Sequence, residues 1–359
     1  MRRLEKIAAT IKAMGVDAVL LTGQENLQYA TTFPHLEGFA VITADGQGFC
    51  YTDSRYIEAA TKVMEPQGYT VVEPAGSYPT FATPQEVIDK CGIQTLAFED
   101  LLMPVHDYEM YKAALSAKLV PVGNAFEILR EVKDQSEIDA IRNAQRIAEK
   151  ALHDLMPKIK VGAYEDELAA ELEYLMKKYG SEAVSFSTIL VSGPNSSLPH
   201  GVPTHRAIED GDFVTIDFGA KIDGYGSDMT RTFAVGHATE EMKKIYQIVL
   251  EAQLAGIEGL AVGVPGCEVD KAARDVIENA GYGKYFGHGL GHSLGLNIHE
   301  NPRASRTYQG AFKAGNIITI EPGIYIPGMG GVRIEDMIYL AEDGTKVNLT
   351  EFPKELIIL

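Results

Sequence analysis

The chain has 359 residues, 45% of them hydrophobic, and its 32 lysines and arginines stand against 50 aspartates and glutamates, a formal net charge of −18. Such a surplus repels polyanions, which excludes nucleic acid as a partner, and no segment reaches the apolar run of about eighteen residues that a membrane helix needs. Three widely spaced cysteines, Cys50, Cys91 and Cys267, fit no disulfide or metal-binding pattern and suit a reducing cytoplasm, and the charged start Met1-Arg-Arg-Leu-Glu-Lys6 does not read as a secretion signal.

A chain of this length divides naturally into two cores. Residues 1–125 alternate between periods: a helix over 2–14, strands over 17–21, 39–43 and 49–52, a helix over 54–64, strands at 71–72 and 95–98, and a closing helix over 106–117. This order predicts an α/β domain with a mixed sheet, followed by a linker-like Pro121-Val-Gly123. Residues 126–359 read differently. Helices over 136–156 and 164–179 precede one pair of acidic strands, and helices over 240–260 and 268–280 precede another, with capping signals at Thr239-Glu-Glu and Val264-Pro-Gly. The repeated order predicts an α+β domain of two similar halves around one central site, although the identities themselves do not repeat.

Asp217 and Asp228 lie on strands over 213–219 and 227–235, joined through the turn Ile222-Asp-Gly224, so folding back sets them face to face. Directly opposed Cβ atoms are about 5 Å apart, and at an effective dielectric of about 20 two carboxylates about 4 Å apart repel by roughly 4 kcal/mol. A cation between them is therefore expected. Glu321 ends the apolar strand over 316–321, and Glu335 sits in a strand over 331–340 whose period of two puts Arg333 on the same face, as an ion-pair partner that orients Glu335. Histidines enter through Gly287-His-Gly-Leu-Gly-His-Ser-Leu-Gly-Leu-Asn-Ile-His-Glu300, where the glycines at 287, 289, 291 and 295 disfavour a helix and permit close backbone approach. One imidazole with four carboxylates is hard, oxygen-rich ligation, suited to manganese, iron, cobalt or zinc in an open hydrolytic site.

Taken in order, Asp217, Asp228, His292, Glu321 and Glu335, at intervals of 11, 64, 29 and 14, resemble the ligand set of the pita-bread metallopeptidases, in their Xaa-Pro dipeptidase (prolidase) and Xaa-Pro aminopeptidase (aminopeptidase P) branch. Thr52-Asp-Ser-Arg-Tyr56 looks like a signature of that branch's creatinase-like amino-terminal domain, and the run from Lys133 to Arg142 looks like the start of its catalytic domain. The resemblance implies two divalent ions per subunit, manganese foremost, with cobalt, zinc or iron as alternatives. Asp228 and Glu335 would bridge them, Asp217 would chelate one, and His292 with Glu321 would hold the other. It implies attack by a metal-activated water with Glu321 as proton shuttle. His200 and His299 match histidines that orient substrate or stabilise the tetrahedral intermediate, and His288 matches one facing the proline side. Ser293 and Asn297 depart from the commonest spelling of the glycine loop, which bears on fine substrate preference and not on the metal ligands.

The implied reaction is hydrolysis of the bond between an amino-terminal residue and a following trans proline, in a homodimer. A methionine aminopeptidase would share the ligands, but the additional domain of about 120 residues and the Thr52–Tyr56 motif argue against it. A creatinase-like hydrolase lacks the metal carboxylates, and metal-free binding proteins on this fold typically lose ligands that are all retained here. Dipeptidase and aminopeptidase specificity both remain open at this point.

Overall fold

Short β-branched and aromatic runs build the first sheet. The computed structural model describes residues 2–76 and 78–359 and divides into two units, Met1–Arg130 and Glu131–Leu359. In the first unit six strands order as Tyr69–Val72, Gly48–Thr52, Gly38–Thr43, Ala18–Leu21, Thr95–Phe98 and Lys118–Pro121. The pairs around Gly38–Thr43 are antiparallel and the outer pairs parallel, which is the mixed sheet expected. Its core includes Leu20, Val41, Phe49, Leu96 and Phe98.

Four elements of this unit differ from expectation. Helices Gln24–Thr31, Gln85–Cys91 and Ala125–Glu131 and the edge strand Lys118–Pro121 were not anticipated, and the helix expected over 106–117 stops at Ala114. Helix Gln24–Thr31 shows why. Its N-cap is Gly23, with no side chain of its own to accept the free amides; instead Glu99 Oε2 accepts from the backbone N–H of Thr22 at 2.6 Å and Gly23 at 2.8 Å. A cap supplied from more than seventy residues away leaves no local signal.

The second unit repeats one plan twice. Helices Gln135–Leu155 and Glu165–Lys178 cover the antiparallel sheet of Met229–Ala234, Phe213–Phe218 and Ile189–Ser192. Small residues on the first helix, Ala144, Ala148 and Ala151, bring it close to Leu168, Leu172, Ile216 and Phe233 in a shared core. Helices Glu240–Gly259 and Gly266–Asn279 cover the second sheet, in the order Glu300–Ala304, Gly291–Ser293, Ile317–Ile320, Asp336–Leu340 and Lys346–Asn348. Ile245, Val249, Ala273 and Ile277 pack there on Ile318, Ile320 and Ile338. Burying each such aliphatic side chain is worth about 1.5–3 kcal/mol. The starts are sharp. Asp134 and Glu137 form a reciprocal capping box, and Thr239 Oγ1 accepts from Met242 N at 3.2 Å. No helix among the described residues is long and apolar enough to cross a membrane.

Candidate metal centre and substrate cavity

The two halves place their acids where the sheets meet, with two departures from the expected geometry. Asp217 pairs in register with Thr230, two residues beyond Asp228, so the two aspartates are diagonal neighbours on one face and not directly opposed. Strand pairing starts only at Met229, because between the two acids a separate hairpin, Lys221–Ile222 with Tyr225–Gly226, turns through Asp223 and Gly224 at φ of 49° and 77°. The strand expected over 331–340 is likewise broken. Gly330–Arg333 pairs with Gly323–Ile326, Asp336–Leu340 pairs with Ile317–Ile320, and Glu335 lies at the crossing between the two sheets.

That break corrects the role expected of Arg333. Its Nη2 donates to Asp217 Oδ2 at 2.6 Å, its Nη1 to Tyr325 Oη at 2.9 Å and its Nε to Thr230 Oγ1 at 3.0 Å, so its ion pair is with Asp217 and not Glu335. The chain leaves its strand after Arg333, and the period of two no longer applies. Glu335 is held instead by Thr230, whose Oγ1 donates to Glu335 Oε2 at 2.7 Å and whose carbonyl accepts from Glu335 N at 3.2 Å.

Ligand atoms of Asp228, His292 and Glu335 lie within 4.8 Å of one another, all three residues buried. Glu321, just past the strand Ile317–Ile320, reaches this group through His292 Nε2, 3.3 Å from Glu321 Oε1 and 3.7 Å from Asp228 Oδ2. The other ring nitrogen, Nδ1, donates to the Ser293 carbonyl at 3.1 Å, which leaves the Nε2 lone pair turned toward the acids and available to a metal. Close approach is needed here: a Cβ at Gly291 would collide with the Thr319 carbonyl, while the Thr319 hydroxyl accepts from His292 N at 3.0 Å. Beneath the glycine loop, buried Lys133 donates to Glu300 Oε2 at 3.0 Å and to Ser293 Oγ at 3.3 Å. Ser293, one of the two unusual spellings, thus serves as an anchor.

Electrostatics set the acids apart. Burial and the charges of Glu335, Asp217 and Glu321 push Asp228 well above the usual carboxylate range, and burial with Glu321 and Asp217 does the same to Glu335. Asp217 is also raised by burial, although Arg333 opposes the rise. Burial would lift Glu321 too, but the hydrogen bond and charge of His292, with His288 and Arg333, bring it down to about 2. Asp217 Oδ1 and Glu335 Oε1 are buried without a hydrogen-bond partner among the described residues. Orphaned anionic oxygens in a crowd of carboxylates are costly, and a divalent cation satisfies both at once, so the residues fit metal ligation.

The three other histidines expected at the site line a cavity of about 730 Å³, together with Phe186, Ile298, Arg303, the five expected ligands and others. His200 and His299 are exposed on its wall, and the His299 ring meets that of His292 edge-on at 4.5 Å. Burial, then the neighbouring His292, lowers the His299 pKa. His288 also lines the cavity, yet both its nitrogens are engaged, Nδ1 donating to Gly289 O at 2.8 Å and Nε2 standing 2.9 Å from Tyr325 Oη. Tyr325 and Arg303 were missed by the sequence reading. Neither lies in a motif, and only the fold brings Tyr325 between His288 and Arg333 and puts Arg303 in the cavity wall.

Comparison with known proteins identifies the family. Residues 139–342 match the model of metallopeptidase family M24, and residues 3–132 match that of the creatinase/prolidase N-terminal domain. The chain is 39% identical over 356 residues to the Xaa-Pro dipeptidase of Pyrococcus horikoshii, covering 99% of this chain and 98% of the relative. Among solved structures it is similar to an Xaa-Pro dipeptidase from Bacillus anthracis, with TM-score 0.95, 41% identity and 99% of each chain covered. It is also similar to an X-Pro aminopeptidase from Thermotoga maritima, with TM-score 0.92, 33% identity and 98% and 99% covered. The chain therefore belongs to metallopeptidase family M24, with a creatinase/prolidase N-terminal domain, and the family's divalent metal is the charge its buried acids call for.

Proposed function

We propose that this protein hydrolyses the peptide bond between an amino-terminal residue and a following trans proline, using two divalent ions, manganese foremost, held by Asp217, Asp228, His292, Glu321 and Glu335. The observation that carries the reading is the pair of orphaned oxygens, Asp217 Oδ1 and Glu335 Oε1, beside a cavity wide enough for a dipeptide. Relatives named as Xaa-Pro dipeptidases, matched over the whole chain, support the substrate class.

An Xaa-Pro bond has no N–H, and its ring fixes φ near about −65°, so an enzyme that grips substrate by backbone pairing handles it poorly. Bound divalent ions polarise the scissile carbonyl and lower the pKa of water, which removes the need for that grip. The side chains then divide the work. Glu321, ionised at neutral pH, takes the proton of the attacking water and returns it to the proline nitrogen. His299 and His200, on the cavity wall, orient the carbonyl and stabilise the developing oxyanion. His288, tied to Tyr325, forms the proline side of the wall. Arg333 holds Asp217 in place.

Arg303 favours the dipeptide. It lines the cavity, is exposed, and has no ion-pair partner among the described residues, so it offers its charge to a free carboxylate directly after proline. The protein acts as a homodimer in a reducing cytoplasm, a setting supported by its three free cysteines and, for the assembly, by family resemblance. Ala-Pro and Ala-Pro-Ala, offered to manganese- or cobalt-loaded protein, test the reading. Faster cleavage of Ala-Pro, with Arg303→Ala raising KM for Ala-Pro alone, is expected; no cleavage of either peptide refutes the activity.

A further inference from the structure

Glu335 and Asp336 are adjacent in sequence and opposite in surroundings. Glu335 lines the cavity and leaves Oε1 unpartnered. Asp336 is fully buried and saturated: Oδ1 accepts from Arg231 Nη2 at 2.8 Å, and Oδ2 accepts from Lys354 Nζ and Asn348 Nδ2 at 2.8 Å and from Gln253 Nε2 at 3.0 Å.

Arg231, itself buried, joins this knot to the metal centre. Its Nη1 donates to the carbonyls of Glu335 at 2.6 Å and Thr230 at 2.9 Å, while Nη2 and Nε donate to Phe352 O at 2.7 Å and Pro353 O at 2.8 Å. One planar guanidinium therefore clasps the backbone of Glu335 on one side and the segment 352–353 on the other. Lys354 closes the clasp, with Nζ on Asp336 and on Gln253 Oε1 at 3.2 Å and its carbonyl accepting from Tyr246 Oη at 2.8 Å. Glu335 needs such support, because it lies between two strands of different sheets.

We propose that Arg231, Asp336 and Lys354 are positioning residues for the ligand Glu335, and that segment 349–359, which contributes nothing to the cavity lining, is thereby a working part of the metal centre. The inference rests on the reading of Glu335 as a metal ligand. Loss of the Lys354 charge frees the segment to lift, takes two carbonyl acceptors from Arg231 and loosens the backbone of Glu335. Coupling of this kind is reciprocal, so a bound cation must in turn tighten the segment.

The test uses full-length metal-free protein, Lys354→Met, Lys354→Arg and Glu335→Gln, with manganese chloride titrated calorimetrically and amide hydrogen exchange followed over 349–359. Lys354 is about one-fifth exposed, so its substitution leaves the core packed. Lys354→Met is expected to weaken manganese binding about ten- to hundred-fold, with recovery in Lys354→Arg. Manganese is expected to slow exchange in 349–359 of the unaltered protein and to do so far less in Lys354→Met. Wild-type affinity in Lys354→Met alongside a lowered melting temperature overturns the proposal, as does exchange in 349–359 that ignores the metal. Wild-type affinity in Glu335→Gln overturns the ligand reading itself; weakened binding in Glu335→Gln with unchanged binding in Lys354→Met overturns only the positioning role.

Discussion

Arg333 is ion-paired to Asp217 at 2.6 Å, across the sheets, and not to Glu335 two residues along its own chain. With side chains 3% and 13% exposed, the pair is desolvated, and removing one member leaves a buried charge uncompensated. Arg333→Met is expected to destabilise the metal-free protein by about 3 kcal/mol, seen as a lower melting temperature, and Arg333→Lys should recover little of it. A lysine cannot serve Asp217, Tyr325 and Thr230 together.

The raised acids set a pH trend. Asp228 and Glu335 have folded-state pKa values above their unfolded ones, so the stability they contribute is fully present below the ordinary carboxylate range and is lost as pH rises through the raised values. Metal-free protein should therefore melt at lower temperature as pH is raised above about 4, and Glu335→Gln should flatten that slope. Saturating manganese should reverse it. Thermal scans from acid to mildly alkaline pH, with and without metal, decide the matter; a metal-free protein that gains stability over this range contradicts the assignment.

Those protons must also leave when metal enters. Binding of manganese is expected to release protons, and its affinity to fall as pH is lowered. Calorimetric titrations in two buffers of different ionisation enthalpy measure the release directly, and identical heats in both would count against it.

His292 and His299 touch edge-on, yet their substitutions should part company. On the proposed reading His292 is a ligand, so His292→Ala should abolish tight metal binding. With His299 in its proposed role, His299→Ala should keep the metal while kcat on Ala-Pro falls about a hundredfold, the usual cost of losing a donor to a developing oxyanion. Metal content and steady-state kinetics of the two variants, side by side, check this.

Much of the catalytic unit was legible in the sequence because its signals are local. Asp134 and Thr239 cap helices a few residues away, the glycines at 289 and 291 bar a helix, and the acids at 217, 228 and 321 stand at or beside strand ends. What stayed hidden depends on distant partners. Glu99 caps helix Gln24–Thr31 from afar, the chain crosses between sheets at Glu335, and Arg333 finds Asp217 more than a hundred residues upstream. No window of neighbouring residues encodes those choices.

Lys133 and Glu300 are 167 residues apart in the chain, and Thr230 and Glu335 are 105 apart. Contacts so remote form only after long loops close, whereas the helix pairs can assemble from adjacent sequence. A chain still on the ribosome can thus hold its helices while its hydrolytic machinery is unfinished, and newly made protein gains the power to cut peptides only once synthesis has run past the second half of the unit.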